Sequence, residues 1–215
     1  MADCAVCEAA VKKANDMGSD CKYEMSSCDC FPGSATVQLQ GGGTKLMREL
    51  AVGDKVLVGP GGQHSEVYMF SHRLVDATVN YVELETATGE RLHLSGGHYL
   101  YIGGGIGGGG HLVEAQHVKV GDNVTLGATG VGAPVVAVRS VRKEGLYNPH
   151  TLQGDIVVDG VLASTYTAAF SPTLAHVVLA PLRALYRAGV DILKLDVGGA
   201  LDELPAWWTQ RFRGK

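Results

Sequence analysis

Positive charge is in short supply in this chain: 18 Lys and Arg stand against 22 Asp and Glu, for a net charge of −4 over 215 residues. A nucleic-acid backbone is gripped by clustered cations, so binding to DNA or RNA is not expected. Long apolar runs are missing too. The opening "MADCAVCEAAVKKANDMGSD" has acids and lysines where a secretory signal needs an unbroken apolar stretch. No secretory address is visible, the compartment stays open, and a secreted or membrane-associated location requires a longer precursor. The most apolar later segment, residues 174–193, is interrupted by Pro181, Arg183 and Arg187, which makes it a poor membrane span. Cysteine is absent after position 30: Cys4, Cys7, Cys21, Cys28 and Cys30 complete the set. The odd count leaves at least one thiol unpaired within a monomer.

What is present divides the chain in two. Residues 5–17 have helical composition and the following "GSDCKYEMSSCDC" is loop-like, so the head reads as a short helix and a tether. Cys4, Cys7, Cys21 and Cys28 are weak metal candidates, because their spacing does not match common zinc ribbons; disulfides and free thiols are the alternatives. From Thr36 the texture changes to short runs rich in Val, Thr, Leu and Tyr between Gly clusters, among them "KVLVG", "VNYVELETATGERLHL", "HYLYI" and "DIVVDGVLAST". Many short strands with Gly-rich turns predict an all-β body, with "ATGE" as a hairpin turn. The stretch "GGGIGGGG" at 103–110 lacks the lysine of a phosphate loop and reads as a hairpin loop.

One repeat is visible. "RELAVGDKVLV" and "AQHVKVGDNVTL" share an apolar-x-V-G-D-x-V core, Gly53-Asp54 answering Gly121-Asp122 at an offset of 68 residues. Two copies predict paired β-subdomains about a pseudo-two-fold axis. The bland alternative is a common strand-turn element used twice.

Three residues have the makings of acyl-transfer chemistry. Cys30 stands where head meets body, and Ser95 and His98 are spaced S-x-x-H in "LSGGHYLYI". Thiol, hydroxyl and imidazole supply a nucleophile, an amide polariser and a proton donor for a leaving nitrogen. A histidine at a strand end is more often structural, so the spacing alone does not decide the matter.

Longer motifs do more. "CFPGSATV", "LAVGDKVL", "SEVYMFSHR", "TGERLHLSGGHYLY", "NPHTLQGDIVVDGVLASTY" and "LAHVVLAPLRALYR" occur in that order from Cys30 to about Arg187. Together they resemble the C-terminal autoprocessing domain of Hedgehog proteins, part of the Hint superfamily shared with inteins. The resemblance implies an all-β, horseshoe-like Hint fold with duplicated halves, flanked by the helical head (1–29) and an adduct-recognition-like helical tail (171–215) around the autoprocessing body (30–170). It implies that Cys30 attacks the carbonyl of Asp29 in an N-to-S acyl shift, turning the Asp29–Cys30 peptide bond into a thioester. Ser95 falls on the family's threonine and keeps its hydroxyl; His98 falls on the histidine that protonates the departing nitrogen. No cofactor is implied, the substrate is the chain itself, and the second nucleophile is water or an alcohol such as a sterol.

Three positions depart from the family's pattern. His72 replaces the aspartate that activates the sterol hydroxyl, and an imidazole there can act as a base toward an alcohol. Thr165 replaces a cysteine near the nucleophile, and His150 is a further residue to place relative to Cys30. Asp29 replaces a glycine, and its carboxylate is set to hydrolyse the thioester intramolecularly. No asparagine precedes a closing nucleophile at the end of "WWTQRFRGK", so intein-type splicing is not expected. Trp207, Trp208 and Phe212 among arginines suit contact with a lipid or membrane surface, against the alternative of a helix packed on the body. The competing functional reading is a catalytically inactive Hint scaffold with a Cys-rich binding head.

Overall fold

The computed structural model describes residues 29–103, 110–168 and 171–190. The head cysteines Cys4, Cys7, Cys21 and Cys28, residues 104–109 of the glycine-rich stretch and the aromatic residues Trp207, Trp208 and Phe212 lie outside them. Eleven strands are described: β1 (Thr36–Gln38), β2 (Thr44–Leu46), β3 (Lys55–Gly59), β4 (Gln63–Thr86), β5 (Arg91–Leu94), β6 (His98–Ile102), β7 (His111–Glu114), β8 (Asn123–Thr125), β9 (Gly132–Thr151), β10 (Asp155–Val158) and β11 (Val161–Thr167). Two short helices come after them, α1 (Pro172–Val178) and α2 (Ala180–Arg187). Ser171 caps α1 by accepting from Leu174 N–H, and Pro172 sits at the first helical position, where a missing N–H costs nothing.

All described strand pairings are antiparallel, in the order β2-β1-β10-β11-β6-β8-β9-β4-β3, with β5 added to β4 and β7 to β6. The all-β expectation holds, and "ATGE" turns the chain from β4 into β5. One difference is instructive. "EVYMFSHR" and "VNYVELET", which read as separate runs, are one strand of 24 residues paired along the 20-residue β9. Register shifts between Phe70 and His72 and between Leu74 and Thr78 let so long a pair stay in register with the apolar pattern.

The repeat is structural. In the first copy Gly53 N–H donates to Val67 O at 2.8 Å, Val67 N–H to Asp54 O at 2.9 Å, and Ala51 N–H to the Asp54 carboxylate at 2.7 Å. The second copy forms the same three bonds, from Gly121 to Val135 O at 2.9 Å, Val135 to Asp122 O at 2.8 Å, and Lys119 to the Asp122 carboxylate at 2.8 Å. Gly53 and Gly121 both sit at left-handed φ, 95° and 97°, where a side chain is disfavoured, which explains the repeated glycine. The core follows the same offset: Leu50 and Val118, Val56 and Val124, and Val67 and Val135 are all buried in one cluster.

The copies differ in one partner. Asp54 also holds the Lys45 ammonium at 2.7 Å, which ties β2 to the turn before β3. Asp54→Ala is expected to cost about 1–2 kcal/mol in urea unfolding, with Asp122→Ala costing less, since only the first strands two donors. Equal costs would show that the Lys45 contact adds nothing.

Candidate active site

The Asp29 to Cys30 junction is strapped into the core from both sides. Phe31 bridges β9, donating its N–H to Tyr147 O at 2.8 Å and accepting from Tyr147 N–H at 2.9 Å. Cys30 is fixed by the turn before β6: its N–H donates to Ser95 Oγ at 2.7 Å, and its carbonyl accepts from Ser95 N–H at 3.0 Å. Cys30 and Phe31 are wholly buried. The Cys30 and Phe31 backbone is thus hydrogen-bonded, and the residues on both sides of the Asp29–Cys30 bond are buried.

Strand alternation supplies His98. Along β6, His98, Leu100 and Ile102 face inward while Tyr99 and Tyr101 are partly exposed. The pairing of β6 with β11 shifts register between Ala163 and Thr167, and within that irregular stretch Ser164 O receives a hydrogen bond from His98 Nε2 at 2.8 Å. A carbonyl only accepts, so Nε2 carries the ring proton and Nδ1 carries the lone pair. Nδ1 has no partner of hydrogen-bond geometry, yet the Asp29 backbone carbonyl is close enough to favour the protonated ring. The ring also lies against Phe31, with centroids 4.2 Å apart. His98 therefore touches the residues on both sides of Cys30. Burial lowers its pKa to about 4, against the opposing pull of the Ser164 and Asp29 carbonyls, so the ring is neutral at pH 7.

His72 comes from β4, just beyond the irregularity that follows Phe70. Its Nδ1 lies 3.6 Å from Cys30 Sγ. The sequence places this residue where a base for an alcohol is expected; the structure sets it against the thiol. Burial pushes the Cys30 thiol well above its ordinary pKa, and the neighbouring Asp29 charge pushes it further. The Cys30 thiol is therefore neutral, with an imidazole beside it.

Asp29 is itself buried, with 7% of its surface exposed. Its carboxylate accepts from Gly97 N–H at 3.0 Å. Burial raises its pKa, while the Ser95 hydroxyl and Gly97 N–H counteract the shift and the Glu114 charge adds to it. A Cβ at position 97 would stand 2.5 Å from the nearer carboxylate oxygen, so the glycine is what leaves room for this side chain.

The remaining candidates sit apart from these contacts. Thr165 is fully buried and donates its hydroxyl to Gly154 O at 3.0 Å. His150 Nε2 pairs with Ser71 Oγ at 3.1 Å, not with Cys30. Its pKa falls to about 3, through burial first and then the nearby His98, His72 and Arg183 charges. Among the described residues there is no cluster of three or more side chains able to hold a metal, and no helix is long and apolar enough to cross a membrane. Sequence reasoning missed Ser164. Ser164 acts through its backbone carbonyl, which no motif reveals, whereas the glycine pair before His98 was a visible sign of close approach.

The family model described as Hint module matches residues 18–194. Protein hedgehog of Drosophila virilis is 39% identical over 163 residues, which are 73% of this chain and 34% of that protein. Indian hedgehog B protein of Danio rerio is 32% identical over 172 residues, covering 73% of this chain and 42% of its own length. The chain thus spans about a third of the Drosophila protein. Among solved structures, the gp41-1 intein superposes with a TM-score of 0.53 at 14% identity, over 64% of this chain and 99% of the intein. The TvoVMA intein gives 0.52 at 15% identity, over 65% and 99%. At such identity these two establish the fold.

Proposed function

The chain belongs to the Hint family, and from that premise we propose that it cleaves its own Asp29–Cys30 bond through a thioester on Cys30. The observation that carries the proposal is the clamping of one peptide bond between Ser95, His98 and His72. His72 Nδ1 takes the thiol proton, and Cys30 Sγ attacks the Asp29 carbonyl carbon. Ser95 Oγ holds the amide N–H and so fixes the plane that the attack must approach. As negative charge gathers on the Asp29 carbonyl oxygen, His98 Nδ1 gains basicity, takes up the proton released by the His72 imidazolium and passes it to the Cys30 nitrogen. The C–N bond then breaks, because a protonated amine leaves where an amide anion does not. The balance is simple: the proton lost by sulfur ends on nitrogen, and the acyl group moves from nitrogen to sulfur. The thioester is resolved by water or by an alcohol such as a sterol.

The inactive-scaffold reading predicts that Cys30 and His98 lie far apart or point away from each other; against it, the His98 ring packs on Phe31 and is near the Asp29 carbonyl, the residues on either side of Cys30. Incubation of the protein with dithiothreitol, followed by intact-mass measurement, tests the proposal. The expected result is a fragment ending at Asp29, carrying the dithiothreitol adduct or its hydrolysis product, together with a fragment starting at Cys30. A chain that stays whole after prolonged thiol treatment, while retaining its folded circular dichroism spectrum, would overturn it.

A further inference from the structure

We propose that the side-chain carboxylate of Asp29 is the group that resolves the thioester, by forming a cyclic anhydride that water then opens. The step rests on the thioester proposed for Cys30 and gives that intermediate its fate.

Connectivity places the Asp29 carboxylate two carbon atoms from the acyl carbon that Cys30 holds as a thioester. Attack of one carboxylate oxygen on that carbon closes a five-membered succinic anhydride. Well-oriented intramolecular reactions reach effective molarities of about 10⁵–10⁸ M, beyond what any dissolved alcohol offers. Aspartate side chains are mostly exposed in folded proteins. Here the carboxylate is buried inside the site, gripped by Gly97 N–H at 3.0 Å, with the Ser95 hydroxyl also stabilising its charge. Ser95 is the same side chain that binds the Cys30 amide, so carboxylate and scissile bond share one anchor. The seat is built for a side chain at this position: the missing Cβ of Gly97 leaves the space that both carboxylate oxygens occupy. The Asp29 charge is also felt at the Cys30 thiol.

The step balances without an outside reagent other than water. The carboxylate oxygen bonds to the acyl carbon, the C–S bond breaks, and Cys30 leaves as a thiolate that takes up one of the protons released when water opens the anhydride. Water then adds to either anhydride carbonyl, giving two carboxylates and releasing two protons. One oxygen atom from water enters each product molecule.

The position of that oxygen decides between the routes. Cleavage is run in water enriched in ¹⁸O, the fragment ending at Asp29 is collected, and tandem mass spectrometry assigns the label to its α- or β-carboxyl. An anhydride gives a single ¹⁸O distributed over both carboxyls; direct attack of water on the thioester labels the α-carboxyl alone and would overturn the inference. A parallel sample with dithiothreitol keeps the two readings separable. A thiol adduct together with α-only labelling defeats the anhydride and leaves the thioester standing, whereas neither adduct nor release defeats both. Asp29→Ala is expected to lower the ratio of water-resolved to dithiothreitol-captured fragment by at least about tenfold. An unchanged ratio would also overturn the proposal.

Discussion

Cleavage at the Asp29–Cys30 bond is expected to vanish in Cys30→Ala and to slow by about 10²- to 10⁴-fold in His98→Ala, the range spanned by a single positioned proton donor. The two variants probe different halves of one step. Without Sγ there is no nucleophile, and Ser95 still holds the Cys30 amide as it does now. Without the imidazole the thiol still faces His72 at 3.6 Å, but the tetrahedral adduct returns to the amide because its nitrogen is not protonated. His98 also packs on Phe31 and donates to Ser164 O, so its loss leaves a cavity and an unpaired carbonyl. The rate must therefore be read under conditions where circular dichroism shows the variant folded. His98→Gln, which keeps a donor toward Ser164, serves as the second variant. If both His98 variants cleave at the wild-type rate in a dithiothreitol time course, His98 is a packing residue and the proton comes from elsewhere. Cleavage by Cys30→Ala would remove the thioester altogether.

The fold was legible where physics acts over short distances. "KVLVG" and "HYLYI" coincide with β3 and β6, because β-branched and aromatic side chains between glycines leave few alternatives. The V-G-D repeat was legible because the same left-handed glycine and the same aspartate-capped turn are needed twice. The joining of two runs into β4 was not, since its middle is half-exposed and its partner β9 lies about 70 residues away along the chain.

Within the site, the motifs pointed to Cys30, Ser95 and His98, and the structure brings all three to one peptide bond. Their roles rest on the proposal. The relation of His72 to the thiol, of Ser164 O to the His98 tautomer and of Gly97 to Asp29 depends on contacts between residues 42 or more positions apart. Such contacts leave no periodic trace. Asp29 shows the limit most clearly. Its chemistry was legible from its position, because ring size is set by connectivity, but its burial and its anchor on Gly97 belong to the folded state alone.

The buried imidazoles of His98 and His150 should make the protein sensitive to acid. His98 and His150 have folded pKa values of about 4 and about 3, both below the unfolded value near 6.5. Unfolding therefore takes up protons at any pH below about 6.5, and stability is present above that value and lost as pH falls toward the folded values. Between pH 7 and about pH 4.5 the two rings together account for about 5 kcal/mol, comparable with the whole stability of many domains. The expected slope at the lower end is close to two protons, or about 2–3 kcal/mol per pH unit. His176, lowered by burial and by the Arg183 charge, acts in the same sense. Asp29 and Asp155, whose carboxyls burial raises, act in the opposite sense and trim the loss where the pH nears the carboxylate range. Urea unfolding of Cys30→Ala, which keeps the chain whole, at half-unit steps from about pH 7 to about pH 4.5 measures the slope. His150→Asn should halve it, since one of the two rings that must stay neutral is gone. A stability that does not change across this window would mean that neither ring is desolvated, and with that the neutral resting state of His98, on which the order of proton transfers depends, would fall.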